Sequence, residues 1–160
     1  MRLTHLADYA VVIMTAAARR DADARLSASE LAQETGVPLP TTQKLMGRLA
    51  AEGLLTSVRG AAGGFALARP AEAISLADIV EAVEGPISLT QCSDGVSHDC
   101  ALDAHCKVKP HMSIVGDAIR SSLSAVSLAQ LSSPAEAGAQ TRRKAASSAP
   151  GWTPAFAGEQ

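Results

Sequence analysis

Leu6, Ala10, Ile13 and Ala17 recur at helical spacing through LTHLADYAVVIMTAAARR, an Ala-rich run without internal Gly or Pro. The pattern predicts one helix over residues 3–20. After the polar connection DADAR, Ser27 and Glu30 have capping-box spacing, so a second helix begins near Ala28 and runs to Gly36, a residue suited to a helix C-cap. VPLP then makes a rigid turn. The segment TTQKLMGRLAAEG predicts a third helix over 41–52, with Leu45 and Leu49 on its apolar face and Gly53 at its end.

Two strand-like runs, LLTSV and FALAR, flank RGAAGG, whose glycines permit the tight reversal of a hairpin. Ser75 and Asp78 repeat the capping-box pattern and open the helix LADIVEAVE, which stops at Gly85-Pro86. Farther on, Val108, Met112, Val115, Ile119, Ser122 and Val126 recur at alternating steps of four and three. One narrow apolar seam on a long helix suits packing against a second copy, with an intramolecular core helix as the competing reading. From Ser132 onward the chain is rich in Pro, Gly and small residues and poor in branched apolar ones. Such a segment buries too little surface to offset its ordering entropy and predicts a disordered tail.

The expected fold class is therefore mainly α. A winged helix-turn-helix with a small β-hairpin wing spans 1–85, a cysteine-rich loop 86–107, a long C-terminal dimerisation helix with its end 108–131, and the tail 132–160. A length of 160 residues suits one modest core. The net charge of −2 announces no partner by itself. Acidic and basic residues nearly balance over 1–60, whereas acidic ones predominate over 61–131, which favours the N-terminal part as the face for a polyanion. No apolar stretch is long enough to span a bilayer and MRLTHLADYA lacks signal-peptide features, so the expected location is cytoplasmic.

In a winged helix-turn-helix the second helix of the unit enters the major groove, and the hairpin straddles phosphates or probes the minor groove. Thr41, Thr42, Gln43, Lys44 and Arg48 supply the polar side chains around that helix, and Arg59 stands at the start of the hairpin tip. Gln43 suits an adenine edge; Lys44 and Arg48 suit guanine or phosphate. The bland alternative for Lys44 and Arg48 is a solvated charged face.

All three cysteines of the chain, Cys92, Cys100 and Cys106, lie in QCSDGVSHDCALDAHC together with His98 and His105. An odd number of thiols in a reducing compartment does not suit a disulfide framework. Thiolates are soft ligands for iron–sulfur clusters, zinc or copper, and a spacing of C-x7-C-x5-C departs from the short knuckles of structural zinc. Three cysteines leave a fourth position to fill, for which His98, His105, His111 or a residue of another chain are candidates.

MRLTHLADYAVV, SASELAQETGVPLPTTQKLMGRL, GLLTSVRGAAGGFALARP, ISLADIVEAVEGP and the later SLAQL occur in order across residues 1–131. Together they resemble the winged-helix regulators of the Rrf-two family, relatives of IscR and NsrR. EGPISLTQCS and KPHMSIVGDAI are most similar to the subgroup that regulates the SUF iron–sulfur assembly system. The resemblance implies a homodimer on double-stranded promoter DNA, with one cluster per subunit held by Cys92, Cys100 and Cys106. The cysteines of IscR-like and NsrR-like members are evenly spaced, whereas the first gap here is longer. Cluster type thus stands open between a two-iron cluster, the favoured form, and a four-iron one. Where IscR-like proteins place a histidine ligand after the last cysteine, this chain has Lys109, with His111 beyond it and His105 before Cys106. Asp8 matches the aspartate that some NsrR-like proteins contribute from the partner subunit.

The expected function is a cluster-sensing repressor of iron–sulfur assembly genes. The alternative is a cluster-free winged-helix regulator that senses thiol oxidation or binds zinc. An enzyme is not expected: the sequence has no phosphate loop, no dinucleotide fingerprint and no nucleophile with a base.

Overall fold

The computed structural model describes residues 3–21, 24–58, 63–87 and 106–133. The expectations for Arg59, Cys92, His98, Cys100 and His105, and for the tail from residue 134, lie outside the described residues.

Helix α1 (His5–Ala18) is capped by the Thr4 hydroxyl, which accepts from the Ala7 N–H at 3.3 Å. It buries Ala7, Ala10, Ile13, Met14, Ala16 and Ala17. Small side chains on that face let neighbouring helices approach closely, which makes α1 the central element of the core. Leu6, expected on the buried face, is instead 41% exposed, because Ala7 holds that position at the i, i+3, i+7 spacing with Ala10 and Met14.

Helix α2 (Ala28–Thr35) ends at Gly36, whose φ of 74° is the left-handed cap that a Cβ would strain. Its expected capping box is not made. Ser27 Oγ lies 2.7 Å from Ser29 Oγ instead of capping the helix, and Glu30 lies 4.0 Å from Arg20, a residue just past the end of α1 that also donates to Glu34 at 2.7 Å. Helix α3 (Leu39–Ala51) starts two residues earlier than expected, with Pro40 in its first turn, where the missing N–H is harmless.

Strands β1 (Leu55–Val58) and β2 (Gly64–Leu67) pair antiparallel, Leu55 opposite Leu67 and Val58 opposite Gly64. Leu26 adds a one-residue third strand, exchanging hydrogen bonds with Phe65 at 2.7 and 2.9 Å. A Cβ at Gly64 would stand 2.9 Å from the Leu26 carbonyl oxygen, so the close approach requires glycine there. After a short 3-10 turn (Ala71–Ala73), helix α4 (Leu76–Glu84) opens with the expected reciprocal Ser75–Asp78 box and stops at Gly85.

Helix α5 (Lys109–Ser124) is followed by a separate helix α6 (Leu128–Ser132) with its own Ser127–Gln130 capping box. The expectation of one continuous helix through Val126 is corrected here. The Val126 carbonyl accepts from Leu76 N–H at 2.8 Å and Leu128 N–H donates to Ile74 O at 2.7 Å, so the chain bends back onto the start of α4. Leu128 is fully buried in one cluster with Ile13, Met14, Leu31, Met46, Leu49, Leu54, Ile74 and Ile79. The C-terminal end thereby completes the core that α1 to α4 begin, and burying a leucine contributes roughly 1.5–3 kcal/mol. Among the described residues no helix is long and apolar enough to cross a membrane.

Candidate nucleic-acid interface and metal centre

The turn between α2 and α3 is locked from inside. Thr42 is fully buried, and its hydroxyl lies 3.3 Å from each of the Val37 and Pro38 carbonyls, to which it donates. Thr42 therefore points inward, away from the exposed side of α3 that carries the other polar residues expected to contact DNA, so the structure does not leave it free for such a contact. It belongs with Leu45, Met46 and Leu49 to the inner stripe of α3, at the i, i+3, i+4, i+7 positions of one helix face. That stripe fixes which side of α3 points outward. The outer side carries Gln43, Lys44, Gly47 and Arg48, all exposed, with Thr41 half-buried at its edge. Lys44 makes no ion pair among the described residues. A Cβ on Gly47 would meet nothing within 4 Å, so no packing inside the chain asks for glycine there.

Arg48 is partly committed elsewhere. Its Nε donates to the Ala82 carbonyl of α4 at 2.9 Å. In a continuing helix that carbonyl would accept from residue 86, but residue 86 is proline and has no N–H. The same last turn of α4 makes two further attachments. Glu81 receives both Nε and Nη2 of Arg120 from α5, at 2.8 and 3.0 Å, and the Glu81 hydrogen bond and charge raise the Arg120 guanidinium above its ordinary pKa. Glu84 accepts from the backbone N–H of Thr4 at 3.3 Å and also from its hydroxyl. Sequence reasoning missed all three; the only local signal was Pro86, which orphans a carbonyl four residues earlier. A polar recess of about 480 Å³, lined by Arg48, Glu52, Arg69, Glu81 and Pro86 among others, opens beside this junction.

The N-terminal end of the cysteine segment leaves from the same place, while its C-terminal end leads into α5. Ile87 directly follows Pro86, and a Cβ at Gly116, a buried position on α5, would come 3.8 Å from the Ile87 carbonyl oxygen. Cys106, three residues before α5, is a free, half-buried thiol. Asp8 is exposed in the first turn of α1 and does not cap it, since the Thr4 N–H goes to Glu84. His111 is exposed in the first turn of α5. Among the described residues no three His, Cys, Asp or Glu side chains are gathered as a metal-holding group, so Asp8, Cys106 and His111 of one chain do not come together by themselves.

The apolar stripe expected along α5 divides. Met112, Ile119 and Val126 are half-buried toward their own chain, whereas Val108 and Val115 are 52% and 41% exposed. The exposed set Val108, His111, Val115, Ala118, Ser122 and Ala125 repeats at steps of three and four, with Ile114 beside it at 65% exposure. It forms an unpartnered helix face of mostly small residues.

The family model Rrf2, described as an iron-dependent transcriptional regulator, matches residues 3–134. The HTH-type transcriptional regulator IscR of Yersinia enterocolitica is 30% identical over 131 residues, covering 82% of this chain and 79% of that protein. Its counterpart from Xenorhabdus nematophila matches at the same identity and coverage. Among solved structures, CymR, the global cysteine regulator of B. subtilis, is similar with a TM-score of 0.63 at 27% identity, over 82% of this chain and 96% of that one. The oxidized form of Staphylococcus aureus CymR follows at 0.61 and 27%, over 85% and 99%. The IscR of T. potens shares the fold with a TM-score of 0.59 at 24% identity, over 94% of each chain.

Proposed function

The chain belongs to the Rrf2 family of transcriptional regulators, which are not enzymes, and we propose that it acts in the cytoplasm as a homodimeric repressor of SUF-type iron–sulfur assembly genes. The observation that carries the DNA-binding part is the outer side of α3. Gln43 and Lys44 project from a helix whose rotation is fixed by the buried Thr42, Leu45, Met46 and Leu49. In this reading Gln43 addresses a base edge, Lys44 a guanine or phosphate, Thr41 the edge of the contact, and Arg59 of the wing a neighbouring phosphate. Two such helices need a spacing of about one DNA turn, and the exposed α5 seam is the face through which two copies would set it.

Cys92, Cys100 and Cys106 are the residues that would hold an iron–sulfur cluster, with Asp8 of the partner subunit, His105 or His111 as the fourth ligand. The donor chemistry fits: the Cys106 thiol is free and half-buried, and the Asp8 carboxylate is exposed. A bound cluster supplies a centre that responds to oxidation and to iron supply. The favoured form is the two-iron cluster. The chain's own part is to carry residues 88–105 between the end of α4 and the start of α5, two helices tied to one another by the Arg120–Glu81 pair.

A second reading, a cluster-free regulator governed by thiol oxidation or zinc, draws on the free Cys106 thiol and on the likeness to CymR, a cysteine regulator solved in an oxidized form. An anaerobic visible spectrum with iron and acid-labile sulfide analysis, on wild type and Cys100→Ala, separates the two. Charge-transfer bands with matched iron and sulfide, lost in the variant, support the cluster. A colourless, iron-free protein after reconstitution leaves the thiol or zinc reading.

A further inference from the structure

We infer that Arg48 is a positioning residue that sets the presentation of α3 from the end of α4, rather than one of the DNA contacts; the part of this that concerns sensing rests on the reading above. The argument starts from the carbonyl of Ala82. The last α4 hydrogen bond runs from Gly85 N–H to Glu81 O; the next carbonyl, Ala82, is left without a helical donor, Pro86 has no N–H to offer it, and Arg48 Nε donates to it at 2.9 Å. A cationic side chain at a helix C-terminus also meets the negative end of the helix dipole, so the contact has two causes. Arg48 lies one turn beyond Lys44 on the outer side of α3, and its anchoring point is the last turn before the cysteine segment.

The two other attachments of that turn give the contact its reach. Glu84 holds the first turn of α1 through Thr4, and Glu81 holds α5 through Arg120. A shift of the α4 terminus, imposed from Ile87 on one side or from α5 on the other, therefore arrives at α3 through a hydrogen bond from a planar group. Arg48 presents its Nε at a fixed angle, which a lysine ammonium on a flexible stem does not reproduce.

The test uses the full-length protein, cluster-loaded and cluster-free, with a DNA duplex that the wild type selects from a random-sequence pool. Affinity is measured across a salt series for wild type, Arg48→Gln, Arg48→Lys and Lys44→Gln. Removing a phosphate contact lowers the slope of log affinity against log salt by about one, as expected for Lys44→Gln. Arg48→Gln is expected to keep the wild-type slope, to weaken binding about fivefold and to bring the loaded-to-free affinity ratio close to one. Arg48→Lys keeps the charge and is expected to show the same losses. A slope reduced by about one in Arg48→Gln, or wild-type affinity in either Arg48 variant, overturns the inference. Should Arg48→Gln fail to fold, Arg48→Lys decides through the loaded-to-free affinity ratio, which a lost phosphate or guanine contact would leave at its wild-type value and a lost positioning contact brings close to one. A wild-type ratio of one defeats the sensing reading, whereas the slope and affinity of the cluster-free Arg48 variants still decide the role of Arg48.

Discussion

Glu84, the last residue of α4, accepts hydrogen bonds from both the backbone N–H and the hydroxyl of Thr4, the N-cap of α1. Residues 80 positions apart thus close the start of one helix with the end of another. A carboxylate at a helix N-terminus is favoured twice, by the unpaired N–H groups and by the positive end of the dipole. Glu84→Ala is expected to destabilise the fold by about 1 kcal/mol in urea unfolding, at the modest end because the site is exposed. Glu84→Gln retains an acceptor and is expected to lose less.

Gly47 costs α3 stability that nothing inside the chain requires, since its neighbourhood is open and its φ is not positive. Gly47→Ala is expected to raise stability by about 0.5–1 kcal/mol. It lies between Lys44 and Arg48 on the outer side, so the added methyl is expected to weaken DNA binding at the same time. Thermal unfolding and fluorescence anisotropy on one preparation check both; an affinity equal to wild type would remove Gly47 from the interface.

Leu128 is the core anchor of a helix only five residues long. Leu128→Ala is expected to cost about 2–5 kcal/mol through lost burial and a cavity, as read from denaturant unfolding. Truncation after Ser124 removes the same anchor together with the Ile74–Leu128 and Leu76–Val126 hydrogen bonds, and is expected to be more damaging still.

Val115 and Ile114 face away from their own chain. If two copies pair through this face as proposed, Val115→Glu is expected to yield a monomer in sedimentation velocity, to leave the thermal unfolding of the chain nearly unchanged and to reduce operator affinity roughly a hundredfold by removing the second half-site contact. Retention of a dimer would place the subunit interface elsewhere.

How far these features could be read from the residues depended on whether both partners of an interaction were local. The Ser75–Asp78 box closes within one turn and was legible; the Ser27–Glu30 pair has the same spacing, but the Ser27 hydroxyl pairs with Ser29 and Glu30 sits near Arg20 beyond the end of α1. Thr42 looked like one more polar residue at the start of a recognition helix. Its spacing to Leu45, Met46 and Leu49 carried the contrary signal, an inward position that the turn carbonyls of Val37 and Pro38 make tolerable for a hydroxyl. Helix α6 was hidden by its length, although Ser127 and Gln130 have capping-box spacing. The outer face of α3 was legible in Gln43 and Lys44, whereas the engagement of Arg48 with Ala82 joins residues 34 positions apart and no periodicity reports it.

The close passage of Gly64 beneath the Leu26 carbonyl bears on how the wing is inherited and altered. Because Leu26 is stitched to Phe65, the hairpin is not a free arm but an extension of the connection between the first two helices. In a library carrying every residue at every position, 64 would admit glycine alone, since any side chain there pries the strands apart and re-aims the whole hairpin. The wing can therefore change its reach by altering the tip, but its direction is fixed at the root.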